Sequence, residues 1–126
     1  MRKEGDREAW LAFFLEGVRL TAQWAVGTAQ QLGEMFRNDR IRIERETGQK
    51  RRAGSAIRVH EALEARPIRS LPETSRITGL SFPTVSSAMR LLTDTGITRE
   101  LTGRRRDRVF VYEGHLALLN QGSARP

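Results

Sequence analysis

The feature that most constrains this chain is a short helix, a glycine turn and a longer capped helix, spelled out between Ser70 and Gly96. Ser70-Leu71-Pro72-Glu73 reads as a helix start, with Ser70 or Leu71 at the cap, Pro72 in the first turn and Glu73 favourable to the helix dipole. Ile77 is the expected buried residue of that helix. Gly79 tolerates a positive φ and Ser81 caps the next helix, over about 81–95, which closes at Thr95-Gly96. On that second helix Phe82, Val85, Ala88, Met89 and Leu92 share one face, because positions three and four apart stack at 3.6 residues per turn. Ser86, Ser87, Arg90 and Asp94 fall opposite, with Pro83 and Thr84 at the leading end. Short helix, glycine turn and longer helix is the order of a helix-turn-helix.

The segments on either side extend this to a winged form. Ala56, Val59, His60 and Leu63 make the inward stripe of a preceding helix that ends before Pro67, and Ile68-Arg69 can form a minimal strand. Ile97–Leu101 and Val109–Tyr112 carry strand patterning, and between them lies an arginine-rich hairpin, Gly103-Arg104-Arg105-Arg106-Asp107-Arg108. A short apolar helix over Gly114–Asn120 and a loose tail over Gln121–Pro126 follow, with His115 expected at the surface. His60 has no second ligand at metal spacing and reads as a packed core histidine. The expected class is mainly α, a helical arm over 1–50 and a winged helix-turn-helix with a two-stranded wing over 51–126.

The arm contains no proline from Asp6 to Glu46. The pattern predicts two helices: one capped by Asp6 with Trp10, Phe13, Phe14 and Gly17 on one face, then one over Val18–Glu46, stopped at Thr47-Gly48. Val18, Ala22, Ala25, Ala29, Leu32, Phe36 and Ile43 recur in steps of four and three, with Asp39 as the one polar interruption. Leu20, Trp24 and Met35 widen that surface. Two helices cannot bury this much apolar surface alone, so some of it is expected to go to the second half, to another copy of the chain or to a missing domain.

Among 126 residues the formal charge is +7, which favours a polyanionic partner. There is no cysteine, hence no disulfide and no cysteine-based zinc site, and no apolar run long enough to span a bilayer, so a cytoplasmic chain is expected, with no membrane, metal or cofactor. Clustered arginines on a hairpin suit phosphates or a minor groove, and Arg90 suits guanine in the major groove. The residues expected to bind double-stranded DNA are Thr84, Ser86, Ser87, Arg90, Arg104, Arg105, Arg106 and Arg108. No aromatic is expected at that surface for base stacking, which argues against a reader of single-stranded RNA. Docking of a protein partner through the same surface is the rival reading, and the Gln49–Arg52 basic run reads as a linker or a helix entry, able to touch a phosphate backbone but solvated by default.

The order of segments resembles the C-terminal end of bacterial Fic family proteins, adenylyltransferases that modify hydroxyl side chains with AMP. Gly5–Val18 is similar to the segment that ends the family's helical catalytic domain; Arg51–Ala56 and Leu80–Val85 are similar to its appended winged helix, and Thr102–Phe110 to its wing. The resemblance implies a non-catalytic accessory portion of such an enzyme, engaged in transcriptional regulation or in positioning a protein for AMP transfer. The family's catalytic histidine followed by Pro-Phe, and its Gly-Asn-Gly-Arg loop, do not occur here, so no catalytic residue is carried over and no enzymatic activity is expected. The resemblance further implies that the Trp10–Val18 face packs on catalytic helices in the family and that this chain is a C-terminal piece, so that, freed from those helices, it is expected to form a homodimer or higher oligomer through residues 10–36.

Overall fold

The computed structural model describes residues 2–48, 50–103 and 105–123. One helix, α1, runs from Arg2 to Thr47. Its 46 residues extend about 69 Å at 1.5 Å per residue. The two helices expected from the pattern are therefore one. Gly17 costs helix stability of about 1 kcal/mol relative to alanine but removes no backbone donor, and Arg19 donates Nε to Glu16 Oε2 at 3.1 Å across it. Gly48 at φ 61° ends α1, as its sequence position implies.

Beyond α1 the order is α2 (Lys50–Ala65), β1 (Ile68–Ser70), α3 (Leu71–Thr78), α4 (Phe82–Asp94), β2 (Thr98–Glu100), β3 (Val109–Tyr112) and α5 (Glu113–Ser123). This is a mainly helical winged helix-turn-helix. Its sheet has three strands in the order β1-β3-β2, both pairings antiparallel, with Arg69 opposite Phe110 and Arg99 opposite Val111. The minimal strand thus joins the two wing strands and leaves β3 in the centre. Alternation along β3 sends Phe110 and Tyr112 into the core. The tail expected from Gln121 is helical through Ser123; residues 124–126 lie outside the described ones.

The expected stripe of α2 is buried: Ala56, Val59, His60 and Leu63 are closed to solvent. They meet Val85, Ala88, Met89 and Leu92 of α4, and Ile43 of α1 joins the same core. Two expectations fail here. Ile77 of α3 is half exposed, and Leu71, Thr74 and Thr78 take the inward face instead. Each threonine hydroxyl donates to the carbonyl four residues back (Thr74 to Ser70, Thr78 to Thr74, both 2.7 Å), so the side chains enter the core with no unpaired polar group. His115 is buried, not at the surface, and its Nδ1 donates to the Leu63 carbonyl at 3.0 Å.

Asp39, the polar interruption on α1, is buried as well. It accepts a hydrogen bond from the Tyr112 hydroxyl, whose oxygen lies 3.0 Å from His60 Nε2. Because Tyr112 spends its proton on Asp39, its oxygen accepts, and His60 Nε2 carries the proton. His60 Nδ1 is then a bare lone pair. It has no hydrogen-bond partner among the described residues, and Glu64 Oε2 lies 3.4 Å away. Phe36 closes the cluster edge-on to both histidines, 6.0 Å from His60 and 5.2 Å from His115.

Burial holds the His60 pKa down at about 4, against the opposing attraction of Asp39 and with a smaller repulsion from Arg40. Burial lowers His115 too, and it raises the Tyr112 hydroxyl, which the bond to Asp39 raises further. Since the folded pKa of His60 lies below the ordinary 6.5, the unfolded chain binds more protons between those values, and stability falls as pH drops through that window. Glu64, raised by burial, acts in the opposite sense near its own pKa but keeps 28% of its side chain in water. Two and a half pH units correspond to at most about 3 kcal/mol. Thermal melts followed by circular dichroism should show a lower Tm at pH 5 than at pH 7, and His60→Phe should flatten that dependence.

Candidate nucleic-acid interface

The interface is built around α4 and depends on how its start is held. Ser70 caps α3, accepting from the Glu73 N–H at 3.2 Å. At the other end Gly79, at φ 74°, donates to the Ser75 carbonyl at 3.0 Å and turns the chain. Ser81 then caps α4: its Oγ accepts from the Thr84 N–H at 3.4 Å and bonds the Thr84 hydroxyl at 2.7 Å. Arg58 on α2 donates to the Thr78 carbonyl at 2.7 Å, clamping the turn from behind. With Val85, Ala88, Met89 and Leu92 buried, α4 can present only one face outward.

That face forms one wall of a cleft of about 980 Å³. Thr84, Ser86, Ser87 and Arg90 line it, as does Arg108 from the wing. Five of the eight expected site residues therefore share one concavity. Arg105 and Arg106 are exposed on the hairpin between β2 and β3, outside the cleft lining. Arg104 lies outside the described residues. The hairpin turns through Gly103 at φ 63° and Asp107 at φ 52°, left-handed positions that glycine and aspartate tolerate.

The members differ in what they have free. Ser87 and Arg90 are exposed. The Thr84 hydroxyl is already engaged with Ser81. Arg108 is half-buried with its Nε 3.9 Å from Glu100 Oε2, so it offsets the one acidic residue of β2 that lines the cleft. Arg99, on β2, is paired with Glu113. Arg69 is buried, donating Nε to the Ala62 carbonyl at 3.0 Å and Nη1 to Glu73 at 2.7 Å. Arg42 donates to the Thr95 carbonyl at the end of α4.

Of the lining residues outside the expected set, three bear on binding. Arg52 and Ser55 come from the first turns of α2 and close the cleft opposite α4. The Gln49–Arg52 basic run is the available signal; of its two readings, linker or helix entry, the second holds from Lys50 onward, where α2 begins. Phe82 is the third. Periodicity places it on the inward face, yet it is 50% exposed, since the first turn of α4 projects beyond the core. An aromatic is thus offered at the cleft after all. Among the described residues there is no cluster of three or more His, Asp or Glu side chains that could hold a metal ion, and no helix is long and apolar enough to cross a membrane.

The fold and cleft define a winged helix with a basic groove. No family model matches this chain, and no curated protein matches it. Ser81→Ala should cost about 1 kcal/mol, the usual worth of an N-cap, while Arg90→Ala should leave stability unchanged because its side chain is exposed. Urea melts of the two variants would check both.

Proposed function

We propose that this chain binds double-stranded DNA, with α4 laid in the major groove and the arginine hairpin on the adjacent backbone. The observation that carries this reading is the convergence of Arg52, Arg90 and Arg108, from α2, α4 and the wing, on one cleft walled by small hydroxyl side chains. Guanidinium groups pair with phosphate oxygens in a planar fork, and an arginine at mid-helix reaches guanine N7 and O6. Ser86 and Ser87 keep α4 slim enough to approach the base edges. In this reading the chain is a non-catalytic, regulatory portion of a Fic-like protein, on the resemblance of Gly5–Val18 and the winged segments set out above.

The half-exposed Phe82 favours a second reading, in which the same cleft seats a protein partner of an AMP-transferring enzyme. Salt dependence separates the two. Duplex affinity should fall steeply with salt, and replacing Arg104, Arg105 and Arg106 together by alanine should weaken binding and reduce the log–log slope by about 0.9 for each phosphate left without its arginine. Arg90→Ala should instead relax sequence preference, by about 1–3 kcal/mol at one base pair. Anisotropy titrations of labelled duplexes, after selection from a random duplex library, measure both. Equal binding by parent and triple variant, or no selected motif, overturns the DNA reading in favour of the protein one.

A further inference from the structure

From Thr28 to Ile43, α1 lays one stripe against the rest of the molecule: Thr28, Asp39 and Ile43 are buried, and Met35 and Phe36 pack on the core. At 100° per residue the same stripe continues toward the N-terminus through Ala25, Thr21, Gly17, Phe14 and Trp10. There it meets nothing among the described residues. Every described side chain from Gly5 to Gln23 is exposed, with Trp10 at 61%, Phe13 at 81% and Phe14 at 51%. Helices in proteins owe most of their stability to a packed apolar face, so this bare one calls for a partner surface.

The order of side chains along the stripe says what that surface is. Its lining residues are symmetric about the Gly17–Val18 bond, since residue i and residue 35 − i both belong to it. Trp10 answers to Ala25 and Phe13 to Ala22. Phe14 answers to Thr21, and Gly17 to Val18. The three rings lie in the first half and Thr21, Ala22 and Ala25 answer them from the second, so a copy turned end for end sets each ring over a small side chain. That is the self-complementarity an isologous two-fold contact requires. Trp10 and Phe14 are already stacked at 5.4 Å, a preformed ridge for the opposite groove. With the exposures above, the three rings alone bring roughly 400 Å² per copy, half of the about 800 Å² each partner contributes to a stable interface.

We infer that two copies of this chain pair antiparallel through the Trp10–Ala25 stripe of α1, with the two-fold axis at Gly17–Val18. The pairing holds the two winged cores at opposite ends of a shared rod, their Phe36 positions about 55 Å apart by helix rise. It stands independently of what the cleft binds.

Light scattering on the full chain over a concentration series should give twice the 14.3 kDa chain mass. Phe13→Glu with Phe14→Glu, and separately Ala22→Glu, should each abolish the dimer while leaving the melting of the winged core in place, because neither site touches it. A monomeric parent, or a dimer that survives both variants, overturns the inference. The chain contains no cysteine, so orientation can be read directly. Under oxidation Val18→Cys should cross-link to itself, whereas Trp10→Cys should do so only when mixed with Ala25→Cys. Self-linking of Trp10→Cys would show a parallel pair and overturn the antiparallel axis.

Discussion

The hydrogen-bond chain from Asp39 through Tyr112 to His60 is the constraint on which the rest of the molecule depends. A carboxylate on the core-facing stripe of a helix is costly unless its oxygens are paired, and here the Tyr112 hydroxyl pairs one of them. The pairing fixes α1 in both rotation and height, because a turn of the helix about its axis would carry Asp39 away from its donor. It also joins three elements distant in sequence: α1, α2 and the central strand β3. Phe36 and His115 pack around the chain and exclude water from it. With α1 locked this way, the direction of its protruding half is settled too, because the stripe that docks at Ile43 is the one that emerges at Ala25.

The arginines divide into two populations that charge counting does not distinguish. Arg42, Arg58 and Arg69 reach backbone carbonyls at the ends of α4, α3 and α2, and hold the helix-turn-helix in shape. A guanidinium suits this task because its fork can satisfy a helix-end carbonyl and a carboxylate together, as Arg69 does with Ala62 and Glu73. Arg90, Arg105 and Arg106 are exposed, and Arg52 joins them from α2. The cleft is therefore basic by the placement of a few residues against Asp94 and Glu100, not through the net charge as a whole.

Where the expected and observed structures part, the cause lies in how segments meet. Helix periodicity alone favours Ile77 for burial. Thr74 and Thr78 prevail because their hydroxyls bond back to their own helix, leaving Ile77 on the outer side. His115 has no local signal for burial, and its partner is a carbonyl on α2. Phe82 lies on the apolar face of the wheel, yet the core ends before the first turn of α4 reaches it. The pattern changes after Gly17 and suggests two helices, but a change of pattern removes no backbone hydrogen bond, and α1 runs on through it.

The capped helices α3 and α4, the Gly79 and Gly96 turns, the strands and the polar face of α4 are legible in the chain read residue by residue. These follow from caps, periodicity and left-handed glycines, which act over a few residues. Five of the cleft's lining residues, Thr84, Ser86, Ser87, Arg90 and Arg108, were legible too, since they lie on segments whose outward side is set by local periodicity. Packing settles which arginines are engaged, that Arg52 lines the same cleft as α4, that Asp39 and His60 share Tyr112, and that the α1 stripe is half covered and half bare. Those outcomes depend on distances between segments tens of residues apart, which packing alone fixes.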